Sequence, residues 1–132
     1  MTLSIVVAAA GATAAVGLAL WKLFSPGING LVTQAVRLGD ARPLVRAIET
    51  RAEAARPVAY NQAIRRLWNS YERGLARDLI KELAAGHADT KIAQFWLKEL
   101  LTSEPRLAQA LSEEFIARYY RPEVAAKCGA VG

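Results

Sequence analysis

The first 21 residues of this 132-residue chain contain no ionisable side chain. The run that begins at Leu3 and ends at Trp21, LSIVVAAAGATAAVGLALW, would span about 28 Å as an α-helix, close to the roughly 30 Å hydrocarbon core of a bilayer. Trp21 suits the membrane interface, and the amine of Lys22 can reach the lipid headgroups. The sequence therefore predicts a single transmembrane anchor with its interfacial flank over residues 1–25.

The flanking charges predict the orientation of this segment. No Lys or Arg precedes it, whereas one Lys and five Arg follow it between positions 22 and 56. Because basic flanks stay in the cytoplasm, we expect an inner-membrane, single-pass protein with its N-terminus outside and its C-terminal body cytoplasmic. The alternative is a cleaved signal peptide, but the positive region that precedes the apolar core of such peptides is missing.

Small residues recur along one face of the predicted span. Ala8, Ala12, Ala15 and Ala19 are spaced as i, i+4, i+7 and i+11, with Gly11 beside them. Such spacing lets two helix backbones approach closely in lipid and predicts helix packing in the membrane. The alternative is that alanine is simply abundant, since Arg outnumbers Lys 12 to 5, as in a GC-rich bacterial genome.

Helical periodicity dominates residues 26–122, and no alternating run indicates a β-hairpin. The sequence predicts an all-α body of about six antiparallel helices, followed by a flexible tail over 123–132. Segments that begin at positions 42, 73 and 105 align at offsets of 31 and 32 residues. This spacing resembles tetratricopeptide and HEAT repeats, although the Trp-x-x-Leu-Gly-x-x-Tyr pattern is absent. It implies either an α-solenoid of three helix pairs, whose first helices form a concave binding face, or a closed bundle.

Charge is divided unevenly along the body. Residues 22–77 have a net charge of +6 and residues 78–132 have −1. The candidate binding residues in the basic half are two i, i+4 pairs separated by 31 positions: Arg42, Arg46, Arg73 and Arg77. They could bind acidic lipid headgroups, bind an acidic partner segment, or form a solvated face with local glutamate partners.

Catalytic and metal-binding patterns are missing from the sequence. One histidine, His87, and one cysteine, Cys128, provide neither a zinc-ligand set nor a disulfide. No Walker loop, Gly-x-Ser-x-Gly or His-Glu-x-x-His motif occurs. We therefore expect no enzyme activity, no cofactor, no metal and no small-molecule substrate. The absence of zinc-finger spacing disfavours nucleic acid as a partner, despite a pI near 9.7.

Two functions fit these features. The first is a membrane-anchored helical adaptor or scaffold that binds a protein partner at the cytoplasmic face. The second is a small accessory subunit of a larger integral membrane complex, packed through its Ala/Gly-rich span. Both place the specific contacts of the chain with other proteins at or in the membrane.

Overall fold

The computed structural model describes residues 27–128, and every regular element in this part of the chain is a helix. It confirms the predicted all-α fold. A 3-10 turn occupies Glu53–Ala55 between the second and third helices. The helices are α1 Ile28–Leu38, α2 Arg42–Glu49, α3 Arg56–Asn69, α4 Arg73–His87, α5 Lys91–Ser103, α6 Pro105–Ala108, α7 Glu113–Tyr119 and α8 Pro122–Cys128.

The predicted membrane localisation requires correction. Among the described residues, no helix is both long enough and apolar enough to cross a bilayer. The longest, α4, has 15 residues and so covers about 22 Å, whereas a span needs about 20 apolar residues. This finding contradicts the inner-membrane, single-pass assignment with a cytoplasmic body. The anchor predicted from Leu3 to Trp21, together with Lys22 and the small residues between positions 8 and 19, lies outside the described residues.

Side-chain and backbone caps set several helix ends. The Asp40 carboxylate accepts the backbone N–H of Arg42 at 3.0 Å, and the Thr90 hydroxyl accepts that of Ala93 at 3.2 Å. Both bonds satisfy amides that have no partner within a helix. Gly39 follows α1 with φ of 63°, a left-handed conformation that glycine adopts without a Cβ clash. The Thr90 side chain is thus the N-cap of α5.

Helix α3 lies at the centre of the described fold. It contacts α1, α2, α4 and α5, while α5 contacts α4, α6 and α8. Consequently α3, α4 and α5 contribute most of the fully buried large side chains: Tyr60, Ile64, Leu67, Leu79, Ile80, Leu83, Leu97 and Leu100. The first helices of the three predicted pairs, α1, α3 and α5, are therefore successive neighbours.

A buried phenol fixes the connection between α2 and α3. The Tyr60 hydroxyl donates a 2.5 Å hydrogen bond to Glu49, whose other carboxylate oxygen lies 3.4 Å from Arg56. Burial, with the neighbouring carboxylate second, raises the pKa of the Tyr60 phenol. The phenol therefore remains protonated and donates this hydrogen bond. The bond joins α2 to α3 across the 3-10 turn that connects them.

The predicted sixth helix is divided into two short ones. Helix α6 ends at Ala108, and α7 begins at Glu113 after Ser112, whose hydroxyl accepts the N–H of Phe115 at 3.0 Å. Glu113 and Glu114 follow in the first turn, where negative side chains interact favourably with the helix dipole. Ser112 and these two acids form an N-terminal signal that outweighs the continuous apolar spacing around it.

Residues 123–128, which belong to the predicted flexible tail, lie in helix α8 together with Pro122. This helix packs against α5, and the side chain of Ala125 is completely buried there. The small residues that give the segment a weak hydrophobic pattern allow close approach to α5. Small side chains thus favour this packing, although they weaken the hydrophobic pattern from which a helix is predicted.

One buried amide holds the start of α8 against the rest of the fold. Gln94 is fully buried, and its Nε2 donates to the carbonyls of Ala88 at 2.7 Å and Tyr119 at 2.8 Å. Its Oε1 accepts the backbone N–H of Arg121 at 2.7 Å. The amide thus joins α5 to the α4–α5 turn and to the α7–α8 junction. All three hydrogen bonds are made to backbone groups.

Replacing Gln94 by Leu should destabilise the protein strongly. The substitution conserves size but leaves the three backbone groups unpaired, so we expect the free energy of unfolding to fall by about 3 kcal/mol or more. Chemical denaturation measures this loss, and hydrogen exchange should show faster opening of α8. Gln34→Leu, at an exposed position of α1, is the control. A Gln94→Leu loss below about 0.5 kcal/mol would contradict the assigned role.

Candidate functional site

The four arginines that the sequence singles out occupy different environments. Arg42 forms an exposed ion pair with Asp40 at 3.0 Å, and its hydrogen bonds hold the pKa of that carboxyl below the usual value. Arg77 pairs with the adjacent Asp78 at 3.0 Å. Arg46 is exposed and forms no ion pair with any residue that the structure describes. The periodic spacing therefore does not give these residues a common partner.

Arg73 has structural contacts of its own. Its guanidinium carbon lies 4.6 Å from the centre of the Trp68 ring and 5.7 Å from that of Tyr71. Nη1 also donates to the Glu104 carboxylate at 2.6 Å. Because Glu104 directly precedes α6, this side chain links the start of α4 to the start of α6.

We expect Arg73→Gln to lower the free energy of unfolding by about 1–2 kcal/mol, since it removes a cation–π contact and a partly exposed ion pair. Arg46→Gln is the matched control, with an expected change within about 0.5 kcal/mol. Thermal and urea denaturation of both variants measure the difference. Equal stabilities of the two variants would contradict the structural assignment of Arg73.

An open groove of about 430 Å³ follows the exposed side of α3. Most of its lining comes from α3, and one side chain comes from the first turn of α1. Both are first helices of the predicted pairs. The lining residues are Asn29, Val58, Asn61, Gln62, Arg65, Arg66, Asn69 and Ser70.

The groove residues of α3, with Ser70 directly after it, form two rows along the helix. Within each row the residues recur at intervals of about four positions, so that successive side chains are separated by about 6 Å along the helix axis. One amide, one arginine and a further amide form the first row, beside a second row that contains the other arginine. The first row is Asn61, Arg65 and Asn69. The second row is Val58, Gln62, Arg66 and Ser70.

Trp96 of α5 contacts two residues of the first row, Asn61 and Arg65. The ring is 4% exposed, and its Nε1 donates to Asn61 Oδ1 at 2.8 Å. The guanidinium carbon of Arg65 lies 5.8 Å from the ring centre. Trp96 itself is held by Trp68, whose ring centre is 5.6 Å away. Since Asn61 Oδ1 accepts from the indole, the orientation of the amide is set and its NH₂ group has no hydrogen-bond partner among the described residues.

The groove is basic and has no acidic residue in its lining. Arg65 and Arg66 form no ion pair with a described residue. The helices α1 and α3 together contain four arginines and no Asp or Glu. This charge bias within two helices is the sequence signal for the groove. Arg65 and Arg66 do not recur at an offset of 31, so the repeat spacing gives no indication of them.

Tyr71 lies at the end of α3, directly after Ser70 of the groove. It is 84% exposed and has φ of 63°, and among non-glycine residues of the described chain this positive value is unique to it. Its N–H bonds to the carbonyl of Trp68 at 3.2 Å, and that of Glu72 bonds to Leu67 at 2.9 Å. These two bonds close α3 with a motif that favours glycine at the position of Tyr71. Tyr71 is therefore an exposed aromatic residue at a backbone position that favours glycine.

Replacing Tyr71 separates the backbone cost from the contribution of the ring. Tyr71→Ala removes the ring but keeps a Cβ in the left-handed conformation, whereas Tyr71→Gly removes both. We therefore expect the glycine variant to be more stable than the alanine variant by about 1 kcal/mol. Thermal denaturation of the pair measures this difference. A more stable alanine variant would show that the left-handed conformation does not govern this position.

Comparison with known proteins identifies no relative of this chain. No protein-family model, curated protein or solved structure matches the chain. Within residues 27–128, no three His, Cys, Asp or Glu side chains are grouped so that they could hold a metal ion. The shape, charge and hydrogen-bonding groups of the α3 groove are therefore the features of this region that indicate a function.

Proposed function

We propose that this chain is a non-enzymatic helical adaptor that binds an acidic region of a protein partner on the face formed by α1 and α3. The observation that supports this role is the basic groove, in which two arginines without ion-pair partners among the described residues lie beside side-chain amides. Opposite charge accelerates the encounter of two proteins, and guanidinium groups bind carboxylates bidentately. The proposal therefore assigns partner recognition to Arg65 and Arg66.

We further propose that the body is a short array of helix pairs. In support, α2, α4 and α6 begin at positions 42, 73 and 105, with the offsets of 31 and 32 that the sequence alignment gives. The helices α1, α3, α5 and α8 also contact one another in succession. In an array of this kind, equivalent helices form a continuous surface for a partner, and a terminal helix covers the end. The groove would then lie on that surface, with α8 as the terminal helix.

Site-specific crosslinking in cells tests the adaptor role. A photoreactive amino acid replaces Gln62 in the groove or, as a control, exposed Gln109 in the α6–α7 turn. We expect discrete protein adducts from position 62 that are lost in the double variant Arg65→Glu/Arg66→Glu. Arg51→Glu/Arg106→Glu changes the charge equally at exposed positions and should retain the adducts.

The folded state of each variant is checked by circular dichroism, so that loss of structure is not mistaken for loss of binding. Adducts that persist in the folded Arg65→Glu/Arg66→Glu variant would contradict the proposed function. So would equal adducts from positions 62 and 109, because the groove would then contribute no specific contact.

A further inference from the structure

The groove presents hydrogen-bonding groups of the same kind as a peptide backbone. The side chains of Asn61, Gln62 and Asn69 each have a carbonyl and an NH₂ group. Asn61 uses its carbonyl to hold the Trp96 indole, and the other two form no hydrogen bond with a described residue. The groove therefore offers NH₂ donors along its length and further amide acceptors beside them, which suits an occupant whose own backbone groups are unpaired.

The spacing of these groups matches an extended chain. Four residues of α-helix advance about 6 Å, which separates successive members of each row. Alternate residues of an extended strand are about 6.6 Å apart, and their backbone groups point in the same direction. A strand that runs along α3 would thus meet successive side chains of a row at nearly regular intervals.

A helical occupant fits the same groove less well. A bound helix has its backbone hydrogen bonds satisfied internally and gains affinity by burying an apolar stripe. Val58 is the single aliphatic side chain in the groove lining, and the remaining lining side chains are amides, guanidiniums and a hydroxyl. The chemistry of the groove therefore selects an occupant with free carbonyl and N–H groups.

The charge of the groove specifies the side chains of that occupant. Arg65 belongs to one row and Arg66 to the other, so cationic groups lie on both sides of the path along α3. The Arg65 guanidinium lies over Trp96, and the Arg66 side chain is exposed. Carboxylates of a peptide that lies between the rows could reach both arginines, and no acidic residue lines the groove to repel them.

We propose that the groove binds an extended acidic peptide segment, whose backbone bonds to the amides of Asn61, Gln62 and Asn69 and whose carboxylates pair with Arg65 and Arg66. This inference rests on the proposed adaptor function and identifies the kind of segment that the partner supplies.

Two synthetic peptides of equal length and charge test this proposal on the full-length, ¹⁵N-labelled chain. One alternates Glu with Thr and is extended, because β-branched residues favour strands. The other alternates Glu with α-aminoisobutyrate and is helical. The indole N–H resonance of Trp96, assigned by its absence in Trp96→Phe, reports on the groove, and that of Trp68 provides a comparison outside the lining.

We expect the extended peptide to shift the Trp96 resonance in a saturable titration and to bind more tightly than the helical peptide. Arg65→Gln/Arg66→Gln should weaken binding by roughly tenfold, whereas Arg51→Gln/Arg106→Gln should leave it unchanged. The uncharged double substitution Gln62→Ala/Asn69→Ala should also weaken it by roughly tenfold, because backbone contacts are lost without a change in net charge.

Several results would overturn this inference. They are absence of a saturable Trp96 shift, equal or tighter binding of the helical peptide, and indifference to either groove double variant. An equal Trp96 shift with vesicles of acidic phospholipid would assign the arginines to a membrane surface instead. If the peptide fails while the crosslinks from position 62 remain specific, the adaptor function stands and the extended acidic occupant is rejected.

Discussion

The burial of α3 is the constraint on which the rest of the described structure depends. Four helices contact it, and its apolar residues Tyr60, Ile64 and Leu67 are completely covered. A helix enclosed in this way has one remaining side that can face solvent. That side holds arginines and amides, so the folding of the core and the formation of the basic groove follow from the two faces of one amphipathic helix.

Much of the core follows from sequence periodicity. Leu44 and Ile48 are four positions apart on α2, as are Leu79 and Leu83 on α4, and the structure buries all four. Phe95, Trp96 and Leu97 are adjacent bulky residues that cannot all point in one direction, and the structure buries the last two while Phe95 is partly exposed. Periodicity succeeds here because burial on a helix repeats with the helix itself.

The missed features depend on contacts between residues far apart in the chain. Gln94 is polar and gives no apolar signal, yet it is fully buried because Tyr119 and Arg121 supply partners 25 and 27 positions away. Arg73 and Arg77 look equivalent by spacing. The structure separates them, since Trp68 and Glu104 engage the first and Asp78 the second. A spacing of four identifies neighbours on one helix, and it contains no information about what the opposing helix presents.

The position of α8 makes one side of α5 inaccessible. Helix α8 covers a side of α5 and buries Ala125 against it. A further helix pair, or the end of a second copy of the chain, could reach that surface only by displacing α8. Displacement would also break the contacts that Gln94 makes to Tyr119 and Arg121. The buried amide therefore couples the coverage of this side of α5 to the backbone of the α7–α8 junction.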